Sequence, residues 1–321
     1  MKREKIRVLA MLAAFLLPLL ALGVVLSRIH DRMAFVGRPP IPAGTRILIL
    51  GDSHATDSLD PQRFGQACNF GSDGESYIHN YYKLRYAVRR LPSLRMIILP
   101  ADLHSFSAFR SNRMLVTSEW ARYVDYLEIG RLRGKWLHYA RELLALRLFG
   151  FRGEYQRFLS CWLPGRCEPE VARIDRGFTP RPGFFIKKGR MERGRTRARR
   201  QLEGVDLFSP DMVLYFKSIL DLAQRRGLTV ILIRFPVTSE YLRVAERLMP
   251  IEDYYARIRA IAAAYPRVHL LERHGVLQAP AGRYFRDAQH LNLDGAAIFS
   301  DLIRADLEKL GLIEPEVQNQ Q

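Results

Sequence analysis

The chain reads as an α/β protein, a three-layer α/β/α sandwich on a parallel, flavodoxin-like sheet. Three observations predict it. Short apolar runs rich in branched residues recur at Arg46–Leu50, Ala67–Phe70, Arg95–Leu99, Thr229–Phe235 and Val268–Leu271; runs of that length and composition are buried strands. Helical stretches separate them, the alternation that builds a parallel sheet covered on both faces. Chain breakers close the first three: Gly51, Gly71 and Pro100. With 321 residues, 48% apolar and 26% charged, the chain has room for one large domain or a domain with an insertion.

At the amino terminus Lys2, Arg3, Lys5 and Arg7 precede Val8–Leu26, which carries no charge. Nineteen residues of helix span roughly 28 Å, close to the hydrocarbon thickness of a bilayer. Pro18 sits mid-span, which a membrane helix tolerates. The flank beyond carries Arg28 and Arg32 against Asp31, so the positive-inside rule keeps the amino terminus in the cytoplasm and exports the rest. Ala21-Leu22-Gly23 offers a signal-peptide cleavage site, but the apolar run continues through Val24, Val25 and Leu26, which favours an uncleaved anchor. The expected organisation is a basic flank 1–7, an anchor 8–27, a linker 28–44 stiffened by Pro39, Pro40 and Pro42, an α/β domain 45–312 with an insertion 104–207, and a tail 313–321. The expected location is the inner membrane, single-pass, with the domain in the periplasm. An oxidising compartment allows Cys161 and Cys167 to pair and leaves Cys68 buried beside Asn69; three free thiols is the alternative.

Within the domain, Asp60-Pro61 opens a short helix, and Asp73 is placed to cap a helix reaching about Arg90. Tyr123–Leu148 is helical, and Arg181–Arg200 holds nine basic residues and one acid, Glu192. That run is either a solvated surface or a patch for lipid phosphates or an anionic glycan. Pro210–Arg226, Ser239–Tyr265 (bent near Pro250) and Asp294–Leu310 complete the helices. The net charge of +17, from 50 Lys+Arg against 33 Asp+Glu, favours anionic partners. No zinc-ligand spacing, RNA-binding aromatic signature or helix-turn-helix points to nucleic acid.

The chemistry gathers at two distant places. Gly51-Asp52-Ser53-His54 follows the first strand, at the sheet edge where ligands of open α/β sheets bind. As a plain turn it needs no function; with a base in reach, Ser53 is a nucleophile. Asp287 and His290 lie three residues apart before the last helix. That spacing lets a carboxylate hold one imidazole nitrogen while the other faces outward. With strand order two-one-three-four-five, both loops open onto the same edge.

These two blocks resemble the first and last blocks of the SGNH (GDSL-type) hydrolase superfamily, over roughly 45–102 and 208–312. The resemblance implies Ser53 as nucleophile, His290 as base, Asp287 as its orienter, ester chemistry through an acyl-serine, and neither metal nor cofactor. It implies oxyanion donors at the Ser53 backbone N–H, at Gly71, and at an asparagine after the third strand. There the chain reads Pro100-Ala101-Asp102-Leu103-His104, and an ionised carboxylate cannot donate. Asn69 and His104 are candidate replacements by residue type, and Asp102/His104 is an alternative relay. His54 is expected to point elsewhere.

An exported, membrane-tethered domain of this type resembles accessory proteins of cell-envelope acylation. That likeness implies a membrane-bound O-acyltransferase as partner and an acidic or neutral polysaccharide as acceptor, with the acyl group, acetyl first among candidates, passing through Ser53. A periplasmic esterase is the second reading and a non-catalytic glycan-binding or scaffold subunit the third.

Overall fold

In the computed structural model, which describes residues 2–35, 41–111, 114, 116–117, 119–149, 176–179, 183, 189–278 and 281–315, five strands form one parallel sheet. They are β1 (Ile47–Ile49), β2 (Ala67–Asn69), β3 (Met96–Pro100), β4 (Thr229–Arg234) and β5 (Val268–Glu272), in the order β2-β1-β3-β4-β5. This is the predicted class and strand order. Every residue of β1, β2 and β3 is buried, as are the last five of β4, so the sheet is covered on both faces.

The described helices are α1 (Lys2–Phe35), α2 (Ser53–Ser58), α3 (Tyr77–Ala87), α4 (Ala108–Ser111), α5 (Tyr126–Leu132), α6 (Trp136–Phe149), α7 (Arg190–Leu202), α8 (Pro210–Arg225), α9 (Ser239–Leu248), α10 (Ile251–Ala262), α11 (Ala281–Tyr284) and α12 (Leu293–Lys309). α3 packs on α8, where Tyr77 meets Phe216 and Phe106 at ring separations of 5.0 and 4.9 Å. α12 packs on α2. There the Ser300 hydroxyl donates to the Ser58 carbonyl at 3.2 Å and accepts from the Asp60 N–H at 2.9 Å. α7 lies against α9 at Gly194, where a Cβ would come within 3.1 Å of the Glu240 carbonyl carbon, a tighter contact than side chains ordinarily make.

The chain divides into two compact units, one of Met1–Arg38 with Leu115–Ala172 and one of Pro39–Met114 with Arg173–Gln321. The sheet belongs wholly to the second. In the first, α1 contains a candidate membrane span, Arg3–Ile29, whose most apolar 18-residue window has a mean hydropathy of 2.7. By length and composition it suits a membrane anchor or a signal sequence alike. α6 packs against α1 and α5, with Tyr126 and Tyr139 stacked at 5.8 Å.

Several boundaries differ from the sequence reading for local reasons. α1 continues to Phe35, so the first residues of the expected linker are helical. Ser76, not Asp73, caps α3, and its N–H donates to His79 Nδ1 at 3.1 Å. The Tyr123–Leu148 stretch is two helices, broken where Gly134 takes φ +64°. The expected insertion 104–207 is shared between the two units. Within its basic run, Arg190–Leu202 is helical. The Cys161–Cys167 pairing and residues 316–321 of the tail lie outside the described residues. Cys68 is free and buried, and burial pushes its thiol up to about 11.

Gly51 fixes the exit from β1. It takes φ +131°, and a Cβ there would lie 2.4 Å from Pro100 Cγ. Both the backbone conformation and the space require glycine. Gly51→Ala should therefore lower folding stability by about 2 kcal/mol or more; an unchanged thermal unfolding midpoint would contradict this.

Candidate active site

The site forms where β1, β3 and β4, adjacent in the sheet, end at its carboxyl edge. Asp52 follows the Gly51 turn out of β1 and caps α2, its Oδ1 accepting the His54 N–H at 3.0 Å. An aspartate in this position satisfies one of the helix's orphan donors. Ser53 is therefore the first residue of α2, and its own N–H has no intrahelical acceptor. Asn69, at the end of β2, clamps α2 from below. Its amide nitrogen donates to the carbonyls of Ala55 at 2.8 Å and Leu59 at 3.1 Å.

The last loop comes from the other end of the chain. A bridge between Phe285 and Leu291 and a bond from the Arg286 N–H to the His290 carbonyl at 2.9 Å close it tightly. Thr238 holds it through the Ala288 carbonyl, with its hydroxyl at 3.1 Å. Arg286 ties it to α2 through Asp57 at 3.0 Å. These restraints bring His290 Nε2 to 2.8 Å from Ser53 Oγ. On the other side of the ring, His290 Nδ1 lies 2.8 Å from Asp287 Oδ2. A carboxylate on Nδ1 places the proton there and leaves Nε2 to accept the serine hydroxyl. Asp287 Oδ1 also accepts the N–H groups of Gln289 at 2.9 Å and His290 at 3.1 Å. Burial acts to raise the Asp287 pKa, but its bond to His290, the His290 charge and the Gln289 N–H outweigh it and hold the carboxyl well below its ordinary value.

The structure brings Ser53, His290 and Asp287 together. Of the further oxyanion candidates, neither Gly71 nor Asn69 is presented as a donor, and His104 Nε2 is taken up by Asp52. The Gly71 N–H bonds to Asn69 Oδ1 at 3.2 Å, and the Asn69 amide nitrogen is engaged on α2 as described. The alternative relay is also undone. Asp102 bonds to His54 Nδ1 at 2.8 Å rather than to His104, and His104 Nε2 bonds to Asp52 Oδ2 at 2.9 Å. His54, expected to point away, lies edge-on to His290 with ring centroids 5.2 Å apart. Residue types alone gave no means of pairing these four groups. The relevant signal is that Asp52/His54 and Asp102/His104 follow adjacent strands.

Beneath Ser53 these residues form a buried polar floor. Arg110 also binds Asp52 Oδ2. Burial acts to raise the Asp52 pKa, but Arg110 and His104 outweigh it and hold the carboxyl well below its ordinary range. Burial acts to lower the His54 pKa, but the Asp102 carboxylate outweighs it and raises the value. For His104, burial and the Arg110 charge act together and bring it down to about 4. The floor thus pairs Asp52 with Arg110 and Asp102 with His54, leaving His104 neutral. Asp52, His54 and His104 place ligand-type atoms within 4.8 Å of one another. Asp52 Oδ2 and His104 Nε2 are already engaged with each other, and the Arg110 guanidinium on that carboxylate opposes a metal cation.

Ser53 and His290 open onto a cleft of about 120 Å³, lined also by His54, Gly74, Phe109, Arg110, Arg197, Arg200, Gln201 and Gln289.

No protein-family model matches the chain. No curated protein matches it. Among solved structures, it is similar to a proposed platelet activating factor from Streptococcus pneumonia (13% identity, 94% of this chain and 98% of that one, TM-score 0.39). It is similar to a proposed acylhydrolase from Bacteroides fragilis (13%, 87% and 94%, 0.39). It is similar to a GDSL-like lipase from Bacteroides thetaiotaomicron (13%, 90% and 99%, 0.38).

The two floor histidines should titrate in opposite directions. In the unfolded chain both take up a proton near about 6.5. Folded His104 does so only near about 4, so its contribution is intact above about 6.5 and stability falls as the pH drops from there towards about 4. Folded His54 has a raised value, so its stabilising contribution is full below about 6.5 and is lost as the pH rises through that raised value. Imidazole nitrogen NMR should find His104 neutral at pH 5.5 with its proton on Nε2, and His54 still protonated where a free imidazole is not. Titration of His104 near 6.5 would overturn the assignment.

Proposed function

We propose that the chain is a serine-dependent acyl-ester enzyme of SGNH type, with Ser53 as nucleophile, His290 as general base and Asp287 as the group that orients His290. The observation that carries the reading is the unbroken chain of contacts from Ser53 Oγ through His290 to Asp287, each at 2.8 Å, at the mouth of a cleft. His290 Nε2 takes the hydroxyl proton as Ser53 Oγ attacks the acyl carbon. The Ser53 N–H, at the positive end of α2, donates to the oxyanion. His290 then passes the proton to the departing alcohol, leaving the acyl group on Ser53. A second oxygen nucleophile, deprotonated by His290, attacks the acyl-serine and regenerates the hydroxyl.

That second nucleophile decides the enzyme class. Our reading is transfer of an acyl group, acetyl first among candidates, to a cell-envelope or extracellular polysaccharide. α1 would hold the domain at the inner-membrane surface, on the periplasmic side, beside a membrane-bound O-acyltransferase that supplies the acyl group. Supporting transfer, neither Gly71 nor Asn69 presents a free donor. An oxyanion site short of donors slows each acyl step, typically by about 10²–10³ per lost donor, which is compatible with transfer to an acceptor held in place. Hydrolysis by the same residues is the second reading.

Full-length protein in detergent should release nitrophenol from 4-nitrophenyl acetate faster when a polysaccharide acceptor is added, with acetyl appearing on the polymer. Ser53→Ala should lower the rate by about 10³-fold or more. Release unaffected by acceptor would sink transfer and leave the esterase; activity undiminished in Ser53→Ala would sink the serine chemistry itself.

A further inference from the structure

The cleft beside Ser53 is strongly positive, and one of its charges, Arg197, also helps hold the Asp287 carboxyl down without bonding to it. Among its described lining residues there is no carboxylate, while Arg110, Arg197 and Arg200 all reach it. Arg110 is committed to Asp52, and Arg200 lies over the Phe109 ring at 5.8 Å. Arg197 is different. It is half-buried, and no described residue hydrogen-bonds or ion-pairs with it.

Arg197 is also held in place. α7 is fixed against α9 at Gly194, by the Arg190–Glu240 ion pair at 2.8 Å, and by Gln201, whose Oε1 accepts from the Tyr241 hydroxyl at 3.0 Å and from Gln289 Nε2 at 2.8 Å. Gln289 directly precedes His290, so the anchor of α7 is continuous with the loop carrying the candidate base. Residues 197 and 201 are one helical turn apart and share a face. Gln201 is only 4% exposed, its Oε1 is engaged twice, and its Nε2 donates to no described group. A guanidinium and an amide N–H₂ on one face, both donors, match the oxygens of an anion.

We infer that Arg197 and Gln201 form a subsite for an oxyanion, carboxylate or phosphate, carried by the alcohol part of the ester, beside the oxygen that gives up or receives the acyl group. The inference rests on the serine acyl-ester reading and specifies its substrate: an ester or acceptor alcohol with a negative charge close to the reacting hydroxyl. The basic run is then, in part, a specificity element rather than a uniformly solvated face. Arg195 serves as the comparison, since it lies on the exposed side of α7 beside Glu192 at 3.5 Å.

The test uses full-length protein in detergent and three acetyl esters with similar leaving groups: 3-acetoxybenzoate, its neutral methyl ester, and 3-acetoxyphenyl phosphate. At least one anionic ester should exceed the methyl ester in kcat/KM by about tenfold or more, the range of a hydrogen bond to a charged group, chiefly through KM. The favoured anion distinguishes carboxylate from phosphate. Arg197→Ala should abolish the preference and Arg195→Ala should retain it. Equal or better use of the methyl ester by the wild type, or a preference that survives Arg197→Ala, overturns the inference. Titration calorimetry of Ser53→Ala with the same esters separates the two readings. Arg197-dependent binding of an anionic ester, with no turnover by the wild type, would uphold the subsite and reject the serine chemistry. Turnover without anion preference would do the reverse.

Discussion

The hydrogen bond from Ser53 to His290 joins residues 237 positions apart, and much of the domain acts to hold its ends in register. Neither residue has a local reason to meet the other. A parallel sheet resolves this, because every strand delivers its following loop to the same edge. Gly51 turns the chain out of β1 against Pro100, Asp52 starts α2 so that Ser53 opens it, and Ser300 of α12 bonds to the far end of α2. Arg286 then pins the histidine loop to the same helix through Asp57. A shift of about 1 Å in any of these would break the Ser53–His290 contact that the proposed proton transfer needs.

The floor beneath Ser53 is a second constraint. Burying two aspartates at the end of a hydrophobic sheet would destabilise the fold if they stood alone. Here each has a partner, the Arg110 guanidinium for Asp52 and the His54 imidazole for Asp102. Asp102 further accepts the Phe235 N–H at 2.8 Å, which links the ends of β3 and β4. The floor therefore has a structural role of its own: it fills the carboxyl edge with satisfied polar groups and keeps α2 seated. It also places a second imidazole, His54, beside His290.

Much of this was legible in the sequence. Branched apolar runs such as Met-Ile-Ile-Leu in β3 and Thr-Val-Ile-Leu-Ile in β4 have no other economical reading, and they fix the sheet. Ser53, Asp287 and His290 were legible because two short blocks at opposite ends of the domain have a spacing that chemistry recognises. What was not legible depended on three-dimensional pairing. Asn69 has the right residue type for an oxyanion donor, but the chain uses it to clamp α2. Asp102 and His104 look like a dyad in sequence, yet Asp102 takes its partner from α2 and His104 takes its partner from the N-cap of that helix. Arg197 was one of nine basic residues in a run, and only the helical face of α7 separates it from Arg195.

The central claim is that Ser53 is an activated nucleophile. Its most direct measurement is covalent capture: the full-length protein is treated with an alkyl fluorophosphonate, which reacts with serines activated by a neighbouring base, and intact mass and peptide mapping locate the adduct. A single adduct on the peptide containing Ser53, absent from Ser53→Ala, is the predicted result. No adduct, or one that persists in Ser53→Ala, would contradict it.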